Sequence, residues 1–297
     1  MSDTSTQSEF AGYASVAPTV GAPQLDHVEA RLSAEQRQFW DDNGYLVLKN
    51  VLSSDQVAEV LALIDNEWSD RADNRHHVDV LSGPDDSKTF EMKDTVPEHR
   101  KEVYKLNNLF IHRALIRSTA FSPRIKAALE EILDGDPMIC NSLNFERGSQ
   151  QPFHLDTWYM PPPVDNMMVA ANIALDPMNA DNGPFVYYPG SHKIPPYRFS
   201  HGRLNIVDSE AADCNAYLQS EVERRGLRPQ AFSCEPGDVF LWHAQLFHGG
   251  MPIKDISLTR NSLVVHYWRS GDMPADSFLR DEAGSYIPRT LRGEMSV

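Results

Sequence analysis

The chain has 297 residues, 41% of them apolar, which is enough for one large core of the kind that a single domain of about 250 to 270 residues builds. Lys plus Arg number 27 against 42 Asp plus Glu, a formal net charge of −15, and the absence of a basic block excludes binding along a nucleic-acid backbone. Cys140, Cys214 and Cys234 show no C-x-x-C spacing and cannot all pair, so they read as buried free thiols of a reducing compartment. No apolar run is long enough to span a bilayer, and the first residues lack a basic segment followed by an apolar one. The expectation is a soluble cytoplasmic protein with no membrane partner.

In chain order, residues 1–25 are rich in Ser, Thr, Ala, Gly and Pro and read as a flexible tail, with residues 26–297 as a single domain. Ser33 caps a short helix carrying Phe39 and Trp40, which Gly44 stops. Tyr45 to Leu48 reads as a strand, and Ser53 caps a helix to about Trp68 whose Val57, Val60, Leu61 and Ile64 recur at helical spacing. Ser69 to Arg100 is charged and broken by Gly83-Pro84-Asp85, and the expectation there is a loop over the active site. Its adjacent His76 and His77 do not converge on one ion. Helical patterns are expected from Lys105 to Ala120 and from Ser122 to Leu133. Strands follow at Met138 to Glu146, Met167 to Leu175, Phe185 to Tyr188, Asp238 to Trp242 and Leu258 to Trp268. Helices first and mostly antiparallel strands afterwards imply an α+β domain in which helices buttress a β-sandwich or jelly roll.

The chemistry centres on His154-Leu155-Asp156. In an extended strand His154 and Asp156 project from one face, and a second strand can bring His248 beside them. Two imidazoles and one carboxylate on one side of a metal leave coordination positions open and suit a non-haem Fe(II) centre that binds a cosubstrate and O₂. His243 is the rival for the third position. Along the last strand Arg260, Ser262, His266 and Trp268 share a face. An Arg on an inward face needs an anion, and the distal carboxylate of 2-oxoglutarate offers two parallel acceptors to a guanidinium.

These residues carry a resemblance. From about Glu35 to Trp268 the chain resembles the phytanoyl-CoA dioxygenase family of Fe(II)- and 2-oxoglutarate-dependent oxygenases. The shared features are Phe39 to Leu48, His154-Leu155-Asp156, Asp181-Asn182-Gly183-Pro184 leading to Tyr188-Pro189-Gly190-Ser191-His192, and His248 followed by Arg260. The resemblance implies a cupin-like double-stranded β-helix, with His154, Asp156 and His248 on iron and Arg260 on 2-oxoglutarate. Asn141 resembles an Asn with which some members contact the cosubstrate; as a plain residue it is a strand-end hydrogen bonder. Some relatives carry a hydroxyl two residues after the distal His, where this chain has Gly250.

Around that site, His192 reads as structural and His266 as an interior hydrogen bonder. Trp158 and Tyr159 are candidates for contact with a small-molecule substrate, and Lys105 for an anionic ligand. The expected outcome is hydroxylation of an unactivated C–H in a small or medium organic molecule. Desaturation, epimerisation or ring closure by the same cofactors is the alternative, and a non-catalytic metal- or ligand-binding protein on the same scaffold is a third reading. Substrate identity and oligomeric state are not legible.

Overall fold

Two capped helices set up the first wall of the domain. Ser33 and Ser53 each accept from the backbone N–H three residues on, at 3.1 and 3.3 Å, and Gln36 and Gln56 return their side-chain oxygens to the cap N–H. These reciprocal boxes satisfy donors that a helix start leaves open. Helix α1 (Ala34–Asn43) stops at Gly44, which adopts φ 75°; a Cβ there would also lie 2.4 Å from Nδ1 of His192. Both the left-handed turn and the close approach require glycine. Helix α2 (Ser54–Ser69) buries Val57, Val60, Ile64 and Trp68.

The structure is a computed structural model that describes residues 17–18, 32–83 and 86–289. The expected tail at residues 1–25 lies outside the described residues except for β1 (Ala17–Pro18). The other strands are β2 (Tyr45–Leu48), β3 (His77–Gly83), β4 (Asp86–Glu91), β5 (Val103–Asn107), β6 (Pro137–Phe145), β7 (Met168–Ala174) and β8 (Phe185–Tyr187). They continue with β9 (Gln230–Ala231), β10 (Val239–His243), β11 (His248–Gly250), β12 (Ser262–Arg269), β13 (Leu279–Arg280) and β14 (Ser285–Tyr286). The large sheet runs β2-β10-β7-β12-β6-β5-β3-β4, antiparallel throughout this path, and the small one runs β1-β9-β8-β11.

The two sheets face each other across an aromatic core that includes Phe145, Phe185, Tyr187, Phe240, Trp242 and Val264. The outer face of the large sheet packs on α1, α2, α3 (Ala114–Ala120) and α4 (Pro123–Leu133). The outer face of the small sheet is covered by α5 (Ala211–Arg224) through Cys214, Leu218 and Val222. This is the helix-buttressed, cupin-like α+β jelly roll that the sequence implies. All three cysteines are buried and free. No described helix is long and apolar enough to cross a membrane.

Three segments depart from expectation. The expected loop between Ser69 and Arg100 contains the β3–β4 hairpin, which extends the large sheet. Only one face of that hairpin is apolar, with Val78 and Val80 buried, while Asp79, Thr89 and Lys105 line up across paired strands on the other. A strand pair with a polar inner face reads as a loop. The expected helix from Lys105 is the strand β5 at its start, where Tyr104 and Leu106 alternate into the helix layer, and it becomes helical only at Ala114. Helix α5 was not anticipated in the stretch after Ile194.

Candidate metal centre

Each half of the triad is delivered by a short irregular element, not by one long strand. His154 forms an isolated antiparallel bridge with His248, through backbone bonds of 2.8 and 3.2 Å in the two directions. Asp156 opens a single 3₁₀ turn, Asp156–Trp158. Leu155 between them is extended, at φ −116° and ψ 137°, so His154 and Asp156 project to one side as expected, and the chain turns only after the carboxylate. His248 begins β11 in the small sheet, the second strand that the sequence reading asks for. One ligand atom from each of His154, Asp156 and His248 lies within 4.8 Å of the other two, and all three residues are buried.

The surroundings fix each ligand's orientation. Nδ1 of His154 donates to the carbonyl of Pro152 and Nδ1 of His248 to that of Leu246, both at 2.8 Å. With the ring proton on Nδ1, each Nε2 offers its lone pair to the shared space. The His248 ring stacks on Phe185, with centroids 5.0 Å apart, and meets Trp242 edge-on. Trp242 Nε1 donates to Oδ2 of Asp156 at 2.8 Å, which satisfies a buried indole N–H and leaves Oδ1 facing the imidazoles.

Electrostatics match a cation. Burial, then the neighbouring His248, pushes His154 down to about 3, and burial also lowers His248. Burial alone would raise Asp156, but His248, His266 and His154 hold it well below the usual carboxylate range. The site thus presents two lone pairs and an anion at neutral pH, the state in which these groups bind metal.

Arg260 lies just before β12 on the face that continues through Ser262 and His266. It is 3% exposed; Nη1 donates to the carbonyl of Gly183 at 3.0 Å, and Nε has no hydrogen-bond partner. Burial lowers it to about 10, so it remains a cation at neutral pH. No carboxylate pairs with it among the described residues. Ser262 Oγ and Asn172 Oδ1 are likewise buried without a partner. Asn172 pairs with Val264 of β12 and Phe240 of β10, so it shares their inward face. Buried polar atoms without partners cost free energy unless a ligand satisfies them.

The remaining sequence candidates separate. Asn141 gives its amide nitrogen to Nδ1 of His266 at 3.2 Å. Lys105 stands 3.5 Å from Asp79, and its charge opposes protonation of His154. Tyr159, 42% exposed, sets its ring edge against His154. Trp158, the other aromatic candidate, is buried in the cluster under α5. His243 is outside the site; it accepts from the Gln245 N–H at 3.0 Å and packs near His192. His192 is structural as expected, with Nε2 at 3.2 Å from the Asp41 carbonyl. Gly250 has no room for a side chain, since a Cβ would lie 2.6 Å from Ser149 Oγ.

Sequence reasoning did not single out Trp242 or Asn172. The available signal was a polar or N–H-bearing side chain at an inward position of an otherwise apolar strand.

The fold is thus a cupin-like jelly roll carrying a buried His-Asp-His cluster whose ligand atoms could hold one metal ion. The chain belongs to the phytanoyl-CoA dioxygenase (PhyH) family, whose model matches residues 40–255. It is 28% identical over 232 residues to peroxisomal phytanoyl-CoA dioxygenase of Bos taurus, covering 73% of this chain and 63% of that protein. It is 29% identical over 184 residues to ectoine dioxygenase of Stutzerimonas stutzeri, covering 59% of this chain and 55% of the relative. The match thus spans less than two thirds of the length of either relative. Among solved structures, the α-ketoglutarate-dependent carbocyclase SnoK of nogalamycin biosynthesis superposes with TM-score 0.61 at 19% identity, covering 80% of this chain and 85% of SnoK.

Proposed function

We propose that this protein is a non-haem Fe(II)- and 2-oxoglutarate-dependent dioxygenase that hydroxylates an unactivated C–H of a small or medium organic molecule. The observation that carries the reading is a buried cation without an anion, Arg260, in the same fold as a buried His-Asp-His cluster. Iron supplies redox chemistry when bound: 2-oxoglutarate and O₂ become succinate and CO₂, with one oxygen atom passing to the substrate C–H.

The chain's own contribution is binding, orientation and exclusion of water. His154, Asp156 and His248 would hold Fe(II). Arg260 would take the far carboxylate of 2-oxoglutarate, with Ser262 and Asn172 as polar neighbours in the same pocket. The aromatic core between the sheets keeps water from the cosubstrate. Tyr159, exposed beside His154, and Lys105, whose charge acts on His154, are proposed to meet the substrate.

A second reading keeps the cofactors and changes the outcome to ring closure, epimerisation or desaturation; the structural likeness to a carbocyclase supports keeping it. Incubation with Fe(II), 2-oxoglutarate, O₂ and candidate substrates tests both. Succinate release with a product heavier by one oxygen supports hydroxylation; succinate release with loss of two hydrogens supports ring closure or desaturation, and with a product of unchanged mass and inverted stereocentre supports epimerisation. Absence of succinate with every substrate favours a non-catalytic binding protein.

A further inference from the structure

Three imidazoles, not two, surround the carboxylate of Asp156. Its Oδ1 lies 4.0 Å from Nε2 of His154, 3.6 Å from Nε2 of His248 and 3.4 Å from Nε2 of His266. His266 is the nearest and is as buried as the others, at 2% exposure. Distance to the carboxylate does not separate the three rings, although only His154 and His248 fall with Asp156 within 4.8 Å of one another.

The far side of each ring does. His154 and His248 direct Nδ1 at backbone carbonyls, which only accept, so the proton sits on Nδ1 and the lone pair on Nε2. His266 instead directs Nδ1 at the amide nitrogen of Asn141 at 3.2 Å. An amide nitrogen only donates, so Nδ1 of His266 accepts and its ring proton sits on Nε2, aimed at Oδ1 of Asp156. The carboxylate itself settles which way the Asn141 amide faces. Turning the amide around would either leave an Nε2 lone pair opposing a carboxylate oxygen at 3.4 Å, an arrangement of two acceptors, or demand a second ring proton and so a cation inside the cluster that is to hold a metal ion.

We propose that Asn141 fixes the tautomer of His266, and so makes this imidazole a hydrogen-bond donor to Asp156 and keeps it from becoming a fourth metal ligand. Asp156 is then held at both oxygens, Oδ2 by Trp242 and Oδ1 by His266, with one lone pair of Oδ1 left for the ion. Asn141 and His266 are positioning residues in this account. A site limited to three protein ligands leaves room for a bidentate cosubstrate and O₂. The inference rests on the metal-site reading above, and the carboxamide of Asn141 acts here on an imidazole of the chain.

Long-range proton–nitrogen spectra of the metal-free protein, labelled at histidine, report the tautomers without any substitution. The expected result is Nε2–H for His266 and Nδ1–H for His154 and His248; Nδ1–H at His266 overturns the proposal. A second arm is Co(II) titration followed by visible absorption. Asn141→Asp puts an acceptor opposite Nδ1, moves the proton there and frees Nε2. The Co(II) complex is then expected to show an altered visible spectrum, and Asn141→Asp with His266→Gln is expected to restore the wild-type spectrum. An Asn141→Asp protein that folds and binds Co(II) as wild type does, or a double variant that keeps the altered spectrum, contradicts the proposal. Failure of wild type to bind Co(II), with His266 still carrying Nε2–H, would overturn the metal-site reading and leave the tautomer assignment standing.

Discussion

Trp242, on β10 of the large sheet, donates its indole N–H to Oδ2 of Asp156, 86 residues earlier in the chain, at 2.8 Å. The bond ties a ligand on an irregular turn to the rigid centre of the fold, where Trp242 is 1% exposed. Trp242→Phe keeps most of the packing and removes the donor. Fe(II) affinity is expected to fall about ten- to a hundredfold, the scale seen for partners of metal ligands, while circular dichroism shows an unchanged fold. Unchanged affinity would mean that the turn holds Asp156 by itself.

Arg260 sets a stability cost against a binding function. Desolvation already lowers it to about 10, and a buried cation with no anion is unfavourable. Arg260→Met is expected to leave the melting temperature of the ligand-free protein equal or higher. The same change should weaken 2-oxoglutarate by about 2 to 5 kcal/mol, a factor of about 30 or more. A lower melting temperature with unchanged cosubstrate affinity would assign Arg260 to structure.

Asp238 shows the opposite balance. Its side chain is fully buried; it pairs with Lys49 and accepts from the backbone N–H groups of Asn50 and Glu235, each at 3.0 Å. It thus joins the turn after β2 to the turn before β10. Asp238→Ala leaves two donors unsatisfied and is expected to cost about 3 kcal/mol. In a domain of this size that is a fall of about 6 to 12 °C in Tm; a fall of less than about 2 °C would contradict it.

Stability should also report the buried histidines. Desolvation holds His76 at about 4 and His154 and His243 at about 3, against an ordinary value of 6.5. Below 6.5 the unfolded chain binds protons that the folded chain refuses, so stability is full above that pH and falls as pH drops towards these values. Near pH 5 unfolding takes up roughly three protons, a slope of about 4 kcal/mol per pH unit in the metal-free protein. Urea unfolding across this range measures it, and His243→Gln should remove about a third of the slope. A flat profile would contradict the burial of these rings.

How far the sequence carried the account follows from where its patterns were local. Capping boxes at Ser33 and Ser53 and the apolar strands β6, β7, β10 and β12 are written in contiguous residues and were legible. So were His154, Asp156, His248 and Arg260 as candidates, because their order along the chain resembles a family's order. The β3–β4 hairpin was not, because its inward face is polar and resembles a loop. The tautomer contrast between His248 and His266 was hidden for another reason: it depends on whether a carbonyl or an amide nitrogen stands behind each ring, and Asn141 meets His266 only through strand pairing. The packing of Trp158 with α5 was not legible, because an aromatic beside a ligand looks the same in sequence whatever it packs against.

The central claim is that metal and cosubstrate share one site built by His154, Asp156, His248 and Arg260. Anaerobic calorimetric titration of 2-oxoglutarate into the Fe(II)-loaded and the metal-free protein tests it most directly. The account predicts one molecule bound per chain with iron present, binding that collapses without iron or in His248→Ala. Binding of equal strength with and without iron, or no binding to the iron-loaded protein, would contradict it.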